Sequence, residues 1–290
     1  MNTVKETANA KINLYLDVIS KREDGFHNIK TVMHSISLSD TVKVSLVHLG
    51  ERGVRLKVNS SHYLPTDSKN LEVSAAQLFL DTAGINATVE IELTKRIPIS
   101  AGLAGGSSDA AATLRALNKL FGKVLGERMM LSLAAKIGSD VPYCLIGKTA
   151  LCEGRGEIIT RLPEPKKLYV VVAIGNEHVS TPEAYKTLDR LYNDFKEGRN
   201  ESSFDKHITS IKEGTFSGQT MYNIFEDAVL QNYEGARRIK ERLSALSGAR
   251  ALMSGSGPSV FALFDTEEDA KKASDTLISE GINAYFATSV

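Results

Sequence analysis

Neither sign of charge is in excess. Lys plus Arg number 35 and Asp plus Glu number 35 in 290 residues. That balance argues against the broad basic footprint that nucleic-acid binding needs. Cysteine is scarce. Only Cys144 and Cys152 occur, eight apart and outside any metal-ligand pattern, so they read as small core residues in a reducing compartment. Long apolar runs are missing too. The longest, Leu168–Ile174, has the length of a buried strand, far short of the roughly 20 residues of a membrane helix. The opening MNTVKETANAK lacks the apolar core of a signal peptide. Internal repeats and low-complexity tracts are also absent. The expectation is a soluble, cytoplasmic protein with no nucleic-acid or membrane partner, as a monomer or a homodimer.

What is present is an ordinary globular composition, with 42% hydrophobic and 24% charged residues. A chain of this length makes one large domain or two modest ones and needs no staples. Ile12, Leu14, Leu16 and Val18 alternate as on a strand. Ile36–Leu38 and Val42–Val47 read as two strands joined by a turn at Ser39-Asp40. Leu71, Ala75, Leu78 and Phe79 have helical spacing, and Gly84 stops that helix. Ala87–Leu93 is a strand. Helices follow at Ala110–Phe121 and Met130–Ile137, the second ended by Gly138.

The proline- and lysine-bearing stretch Leu162–Lys167 is the expected domain boundary, giving domains 1–162 and 163–290. Beyond it lie a strand at Tyr169–Ile174 and a helix opened by Thr181 as N-cap and Pro182. Glu197–Ser203 and Lys212–Gly218 read as loops, and Tyr222–Leu230 and Glu234–Leu246 as helices. Strands at Ala249–Met253 and Ser259–Phe264 flank a glycine cluster. A helix near Glu267–Ile278 and a strand near Ala284–Thr288 close the chain. This order is not a strict βαβ alternation, so the fold class is α+β with largely antiparallel sheets.

The strongest local signal is Pro98-Ile99-Ser100-Ala101-Gly102-Leu103-Ala104-Gly105-Gly106-Ser107-Ser108-Asp109, between a strand and an apolar-periodic helix. Glycine lets backbone approach an anion and adopt positive φ. The first N–H groups of a helix point outward and, with the helix dipole, bind phosphate. No Lys follows the glycines as in a Walker A loop, and Gly102, Gly105 and Gly106 have the wrong spacing for a dinucleotide fingerprint. Residues 98–108 are the expected phosphate site. The alternative is a flexible loop with Ser108 capping the helix.

This loop resembles the second motif of the GHMP kinases, the superfamily of galactokinase, homoserine kinase, mevalonate kinase and phosphomevalonate kinase. Ala10-Lys11-Ile12-Asn13-Leu14 resembles its first motif and Ser254-Gly255-Ser256-Gly257-Pro258-Ser259 its third, in the same order. Asp24-Gly25-Phe26-His27, Gly138–Pro142 and Gly154-Arg155-Gly156-Glu157 resemble a member whose acceptor carries a cytidine diphosphate. Glycine is common in that family where this chain has Ala104.

The resemblance implies a two-domain GHMP kinase fold, ribosomal-protein S5-like at the N-terminus and ferredoxin-like at the C-terminus, with the active site in the cleft between them. It implies ATP with Mg²⁺ and phosphoryl transfer to an alcohol. Asp140 then accepts the hydroxyl proton, and Lys11 supplies the cation that favours the alkoxide. Asn70 and Lys95 fall on the adenine side, although Asn70 also suits a cap for the helix at Leu71. Ser107 or Ser108 could reach the metal, and no metal ligand is assigned.

A pyrimidine is best held between aromatic faces, which selects Phe26 and Tyr185, with His27 reading its edge. Asn13, Thr181, Gly255, Ser256 and Gly257 match acceptor positions, and Met33 an apolar wall. Core packing for the two rings and a turn role for His27 are the bland alternatives. His34 and His207 read as structural or exposed. Two other functions stay open at this level: a sister kinase for a smaller acceptor, and a non-catalytic nucleotide sensor.

Overall fold

The computed structural model describes residues 2–193, 195, 200–246 and 250–290. In chain order the elements are β1 (Thr3–Lys21), β2 (His27–Leu49), β3 (Gly53–Asn59), α1 (Leu71–Ala83), β4 (Ala87–Thr94), α2 (Gly105–Leu120), α3 (Glu127–Ile137), α4 (Val141–Ile146), β5 (Thr149–Gly154) and β6 (Ile158–Arg161). Then come β7 (Tyr169–Ile174), α5 (Thr181–Leu191), α6 (Glu201–Lys212), β8 (Tyr222–Asn223), α7 (Phe225–Val229), α8 (Glu234–Ser244), β9 (Arg250–Met253), β10 (Val260–Phe264), α9 (Glu267–Ser279) and β11 (Asn283–Thr288).

Two compact units emerge, each discontinuous in sequence. The first comprises Met1–Ala10, Ser39–Ile99 and Ala104–Gly147; the second comprises Lys11–Leu38, Ser100–Leu103 and Lys148–Val290. A single cut at 162/163 does not separate them, because β1 and β2 are long enough to run through both.

In the first unit β4 lies between β2, antiparallel to it, and β3, parallel to it. Helix α1 packs on α2 and α3, and α4 packs on α2. Their apolar faces, including Val73, Phe79, Leu80, Leu114, Leu117 and Leu133, are buried. Gly84 ends α1 in the left-handed region, as its position after the last periodic residue predicts.

The second unit holds a four-stranded antiparallel sheet in the order β11-β7-β10-β9, with α8 and α9 packed on it. In order of sequence those strands lie 4-1-3-2, the ferredoxin-like arrangement. Strands β5 and β6 form a hairpin on β2, and β8 adds to β1 in parallel. One core joins Leu16, Val171, Leu188, Phe225, Leu243 and Leu277.

Several elements depart from the sequence reading. Ser39-Asp40 is no turn, because β2 is continuous and the Asp40 carboxylate accepts from the backbone N–H of Arg96 and of Ile97. An inward partner turns a polar residue that looks like a turn former into a strand residue. Tyr222-Asn223 is a strand before α7, not helix: Asn223 donates to the carbonyls of Met253 and Gly255, and its Oδ1 accepts from Phe225 N–H. Residues 201–203 belong to α6, while 197–199 of that expected loop, and Ala249 of an expected strand, lie outside the described residues. Strands β3, β5 and β6 and helix α4 had no clear periodic signal.

His34 and His207 are both fully buried. His34 Nδ1 lies 2.8 Å from Thr149 Oγ1, and His207 Nδ1 lies 3.1 Å from the Thr220 carbonyl, an acceptor only. Neither Nε2 has a hydrogen-bond partner. Burial pushes each imidazole down to about 4. The unfolded chain binds these protons near pH 6.5 and the folded chain resists until about pH 4, so stability falls as pH drops through that window. At roughly 1.4 kcal/mol per pKa unit, each imidazole removes up to about 3 kcal/mol by pH 4. Urea unfolding between pH 7 and pH 4 should therefore show a slope that is shallower in His207→Asn; an unchanged slope would refute this account.

Candidate active site

Parts of the three motifs, residues 11–14, 100–103 and 254–259, meet inside the second unit. Strand β1 carries Lys11, which is 4% exposed. Its backbone N–H donates to the Leu103 carbonyl at 3.1 Å, and its Nζ donates to Asn13 Oδ1 at 2.7 Å. The third motif is a tight connection between β9 and β10, closed by Ser254 N–H on the Ser259 carbonyl at 2.9 Å. Ser254 Oγ donates to the Gly102 carbonyl at 3.0 Å, and Ser259 Oγ to the Ala101 carbonyl. The 100–103 segment is thereby held by hydroxyls of the third motif.

Gly102 is obligatory there. Its φ is +75°, and a Cβ would overlap the Ser254 carbonyl oxygen. Gly255, with φ of +57°, leaves room for the Lys11 ammonium, since a Cβ would sit 3.4 Å from that nitrogen.

In the first unit the loop continues into α2. Ala104 is left-handed, with φ 55° and ψ 33°, and α2 has no side-chain cap. Glycine is common at that position in the resembling motif for a plain reason: the methyl group strains this conformation by about 1–2 kcal/mol. Ser108 does not cap the helix. Its Oγ donates to the Asn9 carbonyl at 2.7 Å and its N–H to the Ala104 carbonyl, so the hydroxyl proton expected for nucleotide or metal is already committed. What α2 offers an anion is the backbone of its first turn.

Both side chains expected on the adenine side are engaged within the chain. Asn70 caps α1, its Oδ1 accepting from Glu72 N–H at 3.0 Å and its Nδ2 donating to the Pro65 carbonyl at 2.9 Å. The Lys95 side chain is 7% exposed and lies between Asp40 and Asp109, with its Nζ 2.5 Å from Asp109 Oδ2. Glu72 is buried nearby, and Asp109 Oδ1 has no hydrogen-bond partner. Burial pushes Asp109 well above the usual carboxylate range and raises Glu72 as well. Burial alone would lower the Lys95 ammonium, but Asp109 and Asp40 outweigh it and hold it above its ordinary value. Lys95 is thus the counterion of a buried acidic cluster at the start of α2.

Asp140 stands at the N-terminus of α4, before Val141 and Pro142, and its carboxylate does not cap that helix. Capping, the bland alternative, does not account for it.

The expected acceptor residues gather in the second unit, in pairings that sequence did not give. Phe26 is 52% exposed, and the Arg155 guanidinium sits 4.9 Å from its ring centroid. Asp24 holds the turn that presents Phe26, accepting from its N–H at 3.1 Å. Tyr185 stacks on His27, with ring centroids 4.6 Å apart and planes 18° apart, and Phe225 meets it edge-on. His27 Nε2 lies 2.7 Å from Asp189 Oδ1, and Lys21 donates to Asp189 Oδ2 at 2.6 Å. Burial tends to raise Asp189, but Lys21 and His27 outweigh it and bring its carboxyl below the ordinary range.

Sequence reasoning missed Arg155 as a ring partner and Asp189 altogether. An acidic residue on an exposed-looking helix face carries no signal of a histidine 162 positions away.

Thr181 is the first helical residue of α5, not its N-cap; Ser180 holds that position. Its Oγ1 lies 2.7 Å from Ser256 Oγ, which joins two expected acceptor residues. Met33 is buried core on β2 beside Ala150. Gly257 has φ of +81° and forms a cis peptide with Pro258. Asn13 is an internal ligand. Its Oδ1 accepts from Lys11 and from Gly255 N–H, and its Nδ2 donates to Thr31. Its amide is therefore engaged by Lys11, Gly255 and Thr31 within the chain. Among the described residues no group of three His, Cys, Asp or Glu could hold a metal ion, and no helix is long and apolar enough to cross a membrane.

Comparison with known proteins fits this geometry. Residues 70–148 match the model of the GHMP kinases N-terminal domain, and 202–283 that of the GHMP kinases C-terminal domain. A 4-diphosphocytidyl-2-C-methyl-D-erythritol kinase of Caldicellulosiruptor saccharolyticus is 40% identical over 272 residues, covering 93% of this chain and 91% of that one. The protein of the same name from Geobacillus thermodenitrificans is 43% identical, covering 89% of this chain and 87% of its own. A crystal structure of 4-(cytidine 5'-diphospho)-2C-methyl-D-erythritol kinase is 32% identical with a TM-score of 0.82, covering 99% of both chains. A homoserine kinase from Cytophaga hutchinsonii shares the fold at 23% identity, with a TM-score of 0.77 over all of this chain and 95% of that one. The chain belongs to the 4-diphosphocytidyl-2-C-methyl-D-erythritol kinase family of the GHMP kinases.

Proposed function

We propose that this chain transfers the γ-phosphoryl group of ATP to the 2-hydroxyl of 4-diphosphocytidyl-2-C-methyl-D-erythritol, in the cytoplasm, as a step of the non-mevalonate route to isoprenoid precursors. The observation that carries the reading is the buried Lys11 ammonium, seated at Asn13 and Gly255, with its backbone tied to the Gly102 loop. A cation held against glycine backbone suits a developing alkoxide or a phosphate oxygen.

The phosphates of ATP lie along residues 98–108, on the uncapped first turn of α2 and the glycine backbone before it. Mg²⁺ carried with the nucleotide would neutralise charge on the phosphate oxygens, and a hydroxyl such as that of Ser107 would be its ligand from this chain. Asp140 accepts the proton of the attacking hydroxyl. That oxygen bonds to the γ-phosphorus while the bridge to the β-phosphate breaks, and ADP leaves. Lys11 stabilises the oxygen as its charge develops. Phe26 and Tyr185 hold the cytosine. His27, fixed by Asp189, reads its edge. Thr181 and Ser256 bind the acceptor next to the third motif.

Base stacking is worth about 1–3 kcal/mol per aromatic face, so Phe26→Ala and Tyr185→Ala should each lower kcat/KM for the cytidine acceptor by about 5- to 150-fold. KM for ATP should stay within about twofold. Steady-state kinetics with each substrate varied in turn would test this. An unchanged acceptor kcat/KM in both variants would remove the cytosine assignment and favour a smaller acceptor.

A further inference from the structure

Thr31 is a fully buried residue of β2 that takes no part in the roles assigned above. Its hydroxyl donates to the Tyr15 backbone carbonyl at 2.7 Å and accepts from Asn13 Nδ2 at 2.8 Å. A carbonyl oxygen accepts and never donates, so the Thr31 proton is spent on Tyr15. Toward Asn13 the hydroxyl is then an acceptor only, and the Asn13 amide must turn its NH₂ to Thr31. Its Oδ1 is left facing the Lys11 ammonium at 2.7 Å and the Gly255 N–H at 2.9 Å, both of which can only donate. The chain of bonds is determined from both ends. A flipped amide would set NH₂ against an ammonium and an N–H, and would leave Thr31 facing a second acceptor. Asn223, donating to the Gly255 carbonyl at 2.8 Å, holds the next peptide of the same turn.

We infer that Thr31 is a positioning residue for phosphoryl transfer: through the Asn13 amide it fixes where the Lys11 ammonium and the Gly255 N–H are held. The inference rests on the kinase reading above for its effect on rate, and on the hydrogen-bond chain alone for its effect on Lys11. Thr31→Val keeps the shape and removes the acceptor, so the Asn13 amide is no longer oriented. A displaced catalytic group typically costs on the order of 10²-fold, so kcat should fall about 10- to 100-fold. KM for ATP should stay within about twofold, since α2 is untouched. Thr31→Ser keeps the hydroxyl and should recover most of the lost kcat.

Two arms test this. In kinetics, wild-type kcat in Thr31→Val, or an equal loss in Thr31→Ser and Thr31→Val, would overturn the proposal. In solution NMR of the ¹⁵N-labelled wild-type chain, one Asn13 side-chain amide proton and the Lys11 ammonium protons should exchange slowly with water. Bulk-like exchange of the Asn13 amide would overturn it even if Thr31→Val does not fold. A wild-type chain that turns over no acceptor, yet shows the protected amide, would sink the kinase reading and leave the Thr31 relay standing.

Discussion

Asp140→Asn should lower kcat for acceptor phosphorylation by about 10²- to 10⁴-fold, the range that a positioned general base supplies. Asparagine keeps the shape and one acceptor oxygen but cannot take a proton at neutral pH. Its fold should be intact, because the carboxylate does not cap α4 and the local turn is held by backbone bonds, Val141 N–H to Gly138 and Cys144 N–H to Asp140. ATP affinity should change by less than about threefold, since the proposed phosphate site is the first turn of α2 and the Gly102 segment. Calorimetric titration with the nucleotide and an ADP-release assay on the same preparation separate the two quantities. Equal loss of binding and turnover would mean that Asp140 supports the nucleotide site and is not the base.

The second large effect is on stability. Lys95→Met removes the ammonium that bridges Asp40 and Asp109 and leaves Glu72 buried near them. Breaking a buried pair by deleting one partner costs about 3–5 kcal/mol, mostly from the charges left behind. The loss relative to wild type should shrink as pH falls. Burial holds the Asp109 and Glu72 carboxyls above their unfolded values, so the native state takes up protons more readily than the unfolded chain and the penalty eases on acidification. A companion Asp109→Asn substitution in the Lys95→Met background should restore part of the loss. Urea unfolding of the three proteins at pH 7 and pH 5 gives these differences directly. A Lys95→Met protein as stable as wild type would show that the cluster is neutral without its lysine.

These two residues also show how far sequence alone reaches. Lys11, Asp140 and the glycines stand out because their types clash with their surroundings: charges amid apolar neighbours, and glycine where a helix begins. Gly84, the β7 run and the alternation of β1 were legible for the same local reason. Lys95 was not, because what it does depends on Asp40, 55 residues away, and Asp109, 14 residues away. Asp40 was misread as part of a turn for want of the same partners. Asn13 is the sharpest case. Its match to the family's acceptor positions marked it as a site residue, and nothing in the sequence signalled its contact with Gly255, 242 positions distant. The Phe26 and Tyr185 rings were legible as candidates for a cytosine sandwich, whereas their partners Arg155 and His27 are set by tertiary packing.

The central claim is that this protein phosphorylates an alcohol acceptor bearing a cytidine diphosphate. The most direct test is ADP release by the purified protein with Mg·ATP, run in parallel with 4-diphosphocytidyl-2-C-methyl-D-erythritol, homoserine, mevalonate and phosphomevalonate. The account predicts turnover with the cytidine compound alone. Turnover with one of the other three instead, or ATP binding without turnover of any acceptor, would contradict it.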